Sequence, residues 1–217
     1  MLVFTVISPH PPIILPSVNE MESRWKKRFI SSPGSEEDRK KVKKTIESLE
    51  ALGKKFVKAN TQEIIISSPH PDWGFNVPLF FIAKDFKGKI KTCLMGIEEP
   101  EFYLEEGKRI YSQLDKNKRY ALISSADLSH CLKEDGPYGF QPDGPKFDKE
   151  LIESLKKKDI ENILKLDQKY PQAAQCGLGS ISFMLGILEA AGINWKAEIL
   201  SYEGPFGVGY LVANFKV

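Results

Sequence analysis

The chain has 217 residues and carries 31 basic against 29 acidic side chains, a formal charge of +2, so nothing in its charge draws it toward nucleic acid or an anionic membrane. With 41% hydrophobic residues it can bury enough surface to offset chain entropy, which excludes disorder, and its length suits one α/β domain spanning 1–217. Three cysteines without CxxC spacing, no basic N-terminal region ahead of the first prolines, and no apolar run near the ~20 residues of a membrane span point to a cytoplasmic protein.

Residues 2–8, LVFTVIS, read as a buried strand from their β-branched and aromatic content. A loop of more than twenty residues follows, with Pro9, Pro11, Pro12, Pro16 and Pro33, and loops of that length usually serve a site. Ser35 caps a helix whose first turn is acidic, and Val42, Ile46, Leu49, Leu52 and Phe56 form its apolar stripe. EIIISS is a second buried strand, and PLFFIAKDF and KIKTCLMG predict two more around Lys87-Gly88. EPEFYLEEGKRIYSQLD predicts a helix, acidic at its start and basic at its end. YALISS is a strand, FDKELIESLKKK and DIENILKLD are short helices, and GLGSISFMLGILEAAG is an apolar helix. WKAEILSYEGPFGVGYLVANF closes the chain as a β-hairpin around Gly204-Pro205. Strand and helix alternate for most of the length. The predicted fold class is therefore α/β: a central, mostly parallel sheet flanked by helices on both faces, with a C-terminal β-hairpin.

The chain has only three histidines, and each follows a strand tip. The first strand runs into Ser8-Pro9-His10, the second into Ser68-Pro69-His70, and YALISS into Ala126-Asp127-Leu128-Ser129-His130. In open α/β sheets ligands bind beyond the carboxyl ends of the strands, so parallel strands bring the three imidazoles to one edge. Proline ends a ladder and stiffens the turn behind each of the first two. Two imidazoles and one anionic side chain leave open positions on a divalent metal, and a third imidazole off the metal suits proton transfer near neutral pH.

The strings SPHPP, SPHPDWG and SADLSH resemble the class III extradiol ring-cleavage dioxygenases of the LigB type. They are closer to the Memo-like branch and to the dioxygenase-like domain found beside AMMECR1 domains. DGPYGF, FDKELIESL, QCGLGSISFMLG and SYEGPFGVGYLVA extend the resemblance over nearly the whole chain. The resemblance implies that His10 and His70 bind iron, that His130 is the catalytic acid/base, and that Asp127 is its companion. Where the dioxygenases carry a glutamate, about ten residues before the glycine matching Gly186, this chain has Cys176, as Memo proteins do. Thiolate favours softer or redox-active metals, so the cofactor is expected to be Fe(II), with another divalent ion or copper open. Standing just before a helix start, Cys176 is expected to have a lowered thiol pKa. Glu203 is the alternative third ligand or a partner orienting a histidine. Tyr138 and Trp73 are candidates for the pocket wall.

Two activities follow as expectations. One is iron-dependent oxygen chemistry on a small catechol-like or phenolic compound. The other, implied by the Memo-like branch, is a metal-binding redox protein or a module working with AMMECR1-type and radical-SAM proteins, without ring cleavage. Neither nucleic acid nor membrane is expected as a partner.

Overall fold

The structure is a computed structural model that describes residues 1–15 and 35–217. Pro16 and Pro33, and most of the long loop expected to serve the site, lie outside the described residues.

Six strands form one sheet in the order β3-β2-β4-β1-β6-β5. They are β1 (Leu2–Ser8), β2 (Glu63–Ser68), β3 (Lys89–Leu94), β4 (Tyr120–Ser125), β5 (Lys196–Glu203) and β6 (Tyr210–Lys216). β1, β2, β3 and β4 are mutually parallel, β6 runs antiparallel to β1, and β5 and β6 make the expected hairpin. β4 is threaded between β1 and β2, with Ser8 opposite Ser125 and Ser67 opposite Ser124. The tips carrying His10 and His70 thus flank the tip carrying Asp127.

The inner strands alternate their side chains between two cores, as the two-residue period of a strand requires. Val6, Ile64, Ile66 and Ile123 pack with Leu49, Leu52, Phe56 and Val77 of α1 (Glu36–Lys58) and α2 (Trp73–Ile82). Ile7, Ile65 and Leu122 face the other way, toward Leu104, Phe147, Ile181, Phe183 and Leu185 of α3 (Pro100–Ser112), α4 (Asp143–Lys157) and α7 (Leu178–Ala190). Two short helices, α5 (Ile160–Leu164) and α6 (Leu166–Lys169), link α4 to α7. α1 begins as its sequence demands: the Ser35 hydroxyl accepts the Asp38 N–H at 3.0 Å while Asp38 accepts the Ser35 N–H at 3.1 Å.

One expected strand is a helix instead. PLFFIAKDF falls largely in α2, which runs on to Ile82 with Pro78 inside it. The reason is topological: β3 pairs parallel to β2, and parallel neighbours cannot be joined by a tight hairpin, so a crossover helix must lie between them. Residues 78–82, PLFFI, are all apolar, which erases the periodicity that separates a buried helix from a buried strand.

Candidate metal centre

Both histidine tips are held by short-range bonds. At the end of β2 the Ser68 hydroxyl accepts the His70 N–H at 3.1 Å and donates to the His70 carbonyl at 2.9 Å, clamping the turn at Pro69. At the end of β1 the His10 N–H reaches across the sheet to Asp127 Oδ1 at 3.0 Å, and the Asp127 carboxylate thereby fixes the neighbouring tip. The loop bearing Asp127 and His130 is tied to the start of β6: Leu128 N–H donates to the Gly209 carbonyl and Gly209 N–H to the Ser129 carbonyl, both at 2.8 Å. Ser129 N–H also donates to the buried Asp148 carboxylate at 2.8 Å.

These constraints bring three soft or borderline donors together. One ligand atom each from His10, His70 and Cys176 lies within 4.8 Å of the others, a separation that a single ion with bonds near 2 Å spans with small side-chain adjustments. His10 Nε2 is 3.6 Å from Cys176 Sγ, and the His10 and His70 rings meet edge to face with centroids 5.2 Å apart. The donor set fits a divalent or redox-active metal. Glu203 is not in this group: it ends β5, and its carboxylate is ion-paired with Lys44.

A cleft of about 240 Å³ opens over His10 and His70, lined also by Asp127, His130, Trp73, Tyr138 and Tyr210 among others, whereas Cys176 lines a separate cavity of about 350 Å³ that also touches His70. Trp73 stacks on His70 at 5.2 Å, and Tyr138, 65% exposed, stands edge-on to His130 at 5.9 Å at the cleft mouth. All three imidazoles thus border one space. A sequence reading has no reason to choose Tyr210 or Ser125. Tyr210 reaches the cleft because its strand bridges to Asp127, and Ser125 bonds the His10 ring across a separation of 115 residues.

The electrostatics are those of a dry site. Burial, assisted by the neighbouring His70, pushes the His10 imidazole down to about 3, so it is neutral at physiological pH. Burial also lowers His70 and His130, with Asp127 opposing in both. The His130 ring borders the cleft, and its Nδ1 is buried without a hydrogen-bond partner among the described residues. Burial raises Asp127 to about 6 against the pull of His130, the His10 amide and His70. Cys176 departs from expectation. Its thiol is pushed well above the ordinary range, because burial and the Asp127 charge outweigh its place near a helix start. Only a bound cation would draw its proton off, and binding there must release that proton.

The comparisons with known proteins bear on the family and the fold. The family model for the catalytic LigB subunit of aromatic ring-opening dioxygenase matches residues 39–213, and the chain belongs to that family. The matched span contains His70, Asp127, His130 and Cys176 but begins after His10. The chain is also similar to protein CA_C1420 of Clostridium acetobutylicum, at 42% identity over 143 residues. That match takes in 64% of this chain and 30% of the relative, so the chain spans well under half of the relative's length. Among solved structures, the uncharacterized protein JW3007 of Escherichia coli K12 shares the fold with a TM-score of 0.60 at 12% identity, covering 99% of this chain and 100% of that one.

Proposed function

We propose that the cleft is the active site of a metal-dependent dioxygenase acting on a small catechol-like or phenolic compound. The supporting observation is that His10, His70 and Cys176 converge, with His10 and His70 bordering the same cleft as His130 and Asp127. His10, His70 and Cys176 would hold Fe(II), which when bound supplies the means of bringing an electron-rich ring and O₂ to react. The ring would enter between Trp73 and Tyr138. Its size is bounded by the cleft, since a cavity of about 150 Å³ holds benzene and about 240 Å³ admits one substituted ring. His130, neutral because it is buried, takes the phenolic proton, and Asp127 stabilises the imidazolium so formed. Ring opening places both oxygen atoms in the product, so the reaction needs no external reductant.

Cys176 favours a second reading. A thiolate beside O₂ is itself oxidisable, and a thiolate with two imidazoles also suits copper or zinc. In that case the protein binds metal and exchanges electrons without opening rings, in the manner of the Memo-like branch. It would then act beside AMMECR1-type or radical-SAM proteins.

Metal analysis and O₂ uptake separate the two. Purified protein reconstituted anaerobically with Fe(II) is expected to bind one ion, and His10→Ala and His70→Ala to bind none. Cys176→Ala is expected to weaken binding, whereas Glu203→Gln, whose carboxylate is committed to Lys44, leaves it unchanged. Stoichiometric iron without O₂ consumption across a broad panel of catechols would transfer the assignment to the redox reading. Full binding in both histidine variants would remove the metal site altogether.

A further inference from the structure

A proline inside α2 has a consequence at His10. Pro78 lacks the N–H that residue 78 of a helix would donate to the carbonyl of Gly74, and its ring crowds that carbonyl outward. The freed Gly74 carbonyl accepts the hydroxyl proton of Ser125 instead. Ser125 Oγ also stands 2.9 Å from His10 Nδ1. A serine has one proton, and the Gly74 carbonyl is an acceptor only, so that proton is committed there. Ser125 Oγ must therefore accept from His10, which places the imidazole proton on Nδ1 and the lone pair on Nε2. Nε2 is the nitrogen that faces Cys176 Sγ.

The arrangement opposes what the remaining surroundings would select. Asp127 Oδ2 lies 3.6 Å from His10 Nε2 and would draw the proton to that nitrogen, where it would block coordination. Gly74 is the residue that brings the carbonyl within reach, because a Cβ there would fall 2.1 Å from Ser68 Oγ and force α2 away from the strand tips.

We propose that Pro78, the Gly74 carbonyl and Ser125 form a relay that holds His10 in the tautomer able to bind metal through Nε2. Ser125 and Pro78 are positioning residues, touching neither metal nor substrate. The purpose of the relay rests on the metal reading of the cluster, but its existence does not.

The test uses metal-free protein with ¹⁵N-labelled histidine, whose long-range ¹H–¹⁵N correlations report the tautomer of each of the three imidazoles. Wild-type protein is expected to show His10 protonated at Nδ1. Ser125→Ala removes the acceptor, and the Nε2–H form is expected to appear beside Asp127. Pro78→Ala restores an N–H that competes for the Gly74 carbonyl, frees the Ser125 proton to turn toward His10, and is expected to shift the tautomer in the same direction. Zn(II) affinity measured by calorimetry is expected to fall about 10–100-fold in both variants, the usual range for loss of an outer partner of a metal-ligating histidine. An Nε2–H tautomer in the wild type, or an unchanged tautomer in folded Ser125→Ala and Pro78→Ala, overturns the relay. Wild-type protein with the Nδ1–H tautomer but no affinity for Zn(II) or Fe(II) leaves the relay standing and overturns the metal reading instead.

Discussion

At the scale of single residues the proposed reaction assigns to different imidazoles two tasks that one cannot perform together. His10 is fully buried and neutral, with Nδ1 committed to Ser125. The His130 ring borders the cleft but lies outside the donor cluster, so in the proposed reaction it is the histidine that moves the proton. Substituting His130 by Gln is expected to leave metal binding intact while lowering turnover by about 10²–10⁴, the range for loss of a general acid or base. Burial holds His130 below the ordinary histidine value of 6.5, and a cation in the site would push it the same way. The acid limb of a pH–rate profile is therefore expected below pH 6.5 and is expected to vanish in the Gln variant; a limb that persists would assign it to another group. The histidines were legible in the sequence because each stands at the tip of a strand that announces itself by its own composition. Ser125 was not. It reads as one more serine at a strand end, and its role depends on β4 lying between β1 and β2, a pairing no local pattern encodes.

At the scale of elements, the placement of Cys176 depends on how closely α7 lies on α3. The two helices approach until side chains are excluded: a Cβ on Gly186 would meet the Leu104 carbonyl oxygen at 1.9 Å, and one on Gly107 would meet the Phe183 carbonyl oxygen at 2.1 Å. Beneath α7, Ser180 Oγ bonds Ser67 Oγ at 2.7 Å and Ser124 Oγ at 3.0 Å, tying the helix to β2 and β4. Gly186→Ala must push backbone against backbone. It is expected to cost about 1–3 kcal/mol in urea unfolding and to lower metal affinity by displacing the helix that follows Cys176. A variant of unchanged stability would show that the helices separate freely. In the sequence Gly186 serves only as a marker from which to count back to Cys176; the structure supplies the reason for a glycine there. α7 was recognisable because it is long, apolar and followed by Gly192 just past its end. α2 was not, because its second half, the all-apolar PLFFI of residues 78–82, matches the start of a buried strand equally well.

At the scale of the whole molecule, two buried carboxylates give stability opposite dependences on pH. Burial alone would raise Asp38, but Lys133, the Ser35 amide and hydroxyl and the Phe206 amide outweigh it and bring the carboxyl to about 2. The unfolded chain then takes up its proton first as pH falls, so the stability Asp38 contributes is present above its ordinary value of 3.8 and lost through about 2. Asp148 behaves in reverse. Burial raises it to about 7, although the Tyr202 hydroxyl and the Ser129 amide both favour its charge. Between its ordinary value and about 7 the folded protein holds a proton the unfolded chain has released. The contribution is complete below about 4 and declines as pH rises, by at most about 1.4 kcal/mol for each pH unit. Asp127, raised to about 6, adds to the same decline, while the buried histidines, lowered from 6.5, act against it. The sum over all of them is not a clean readout, but the difference from one variant is. Asp148→Asn keeps the shape, with its carbonyl accepting from Ser129 and its amide facing the Tyr202 hydroxyl, and it removes the charge. Urea unfolding of the two proteins at pH 4, 5, 6 and 7 is expected to show near-equal stability at pH 4 and an advantage for Asp148→Asn that grows up to about pH 7. A difference that stays constant across the four values would mean that Asp148 is ionised throughout, with Tyr202 and Ser129 strong enough to hold a buried charge.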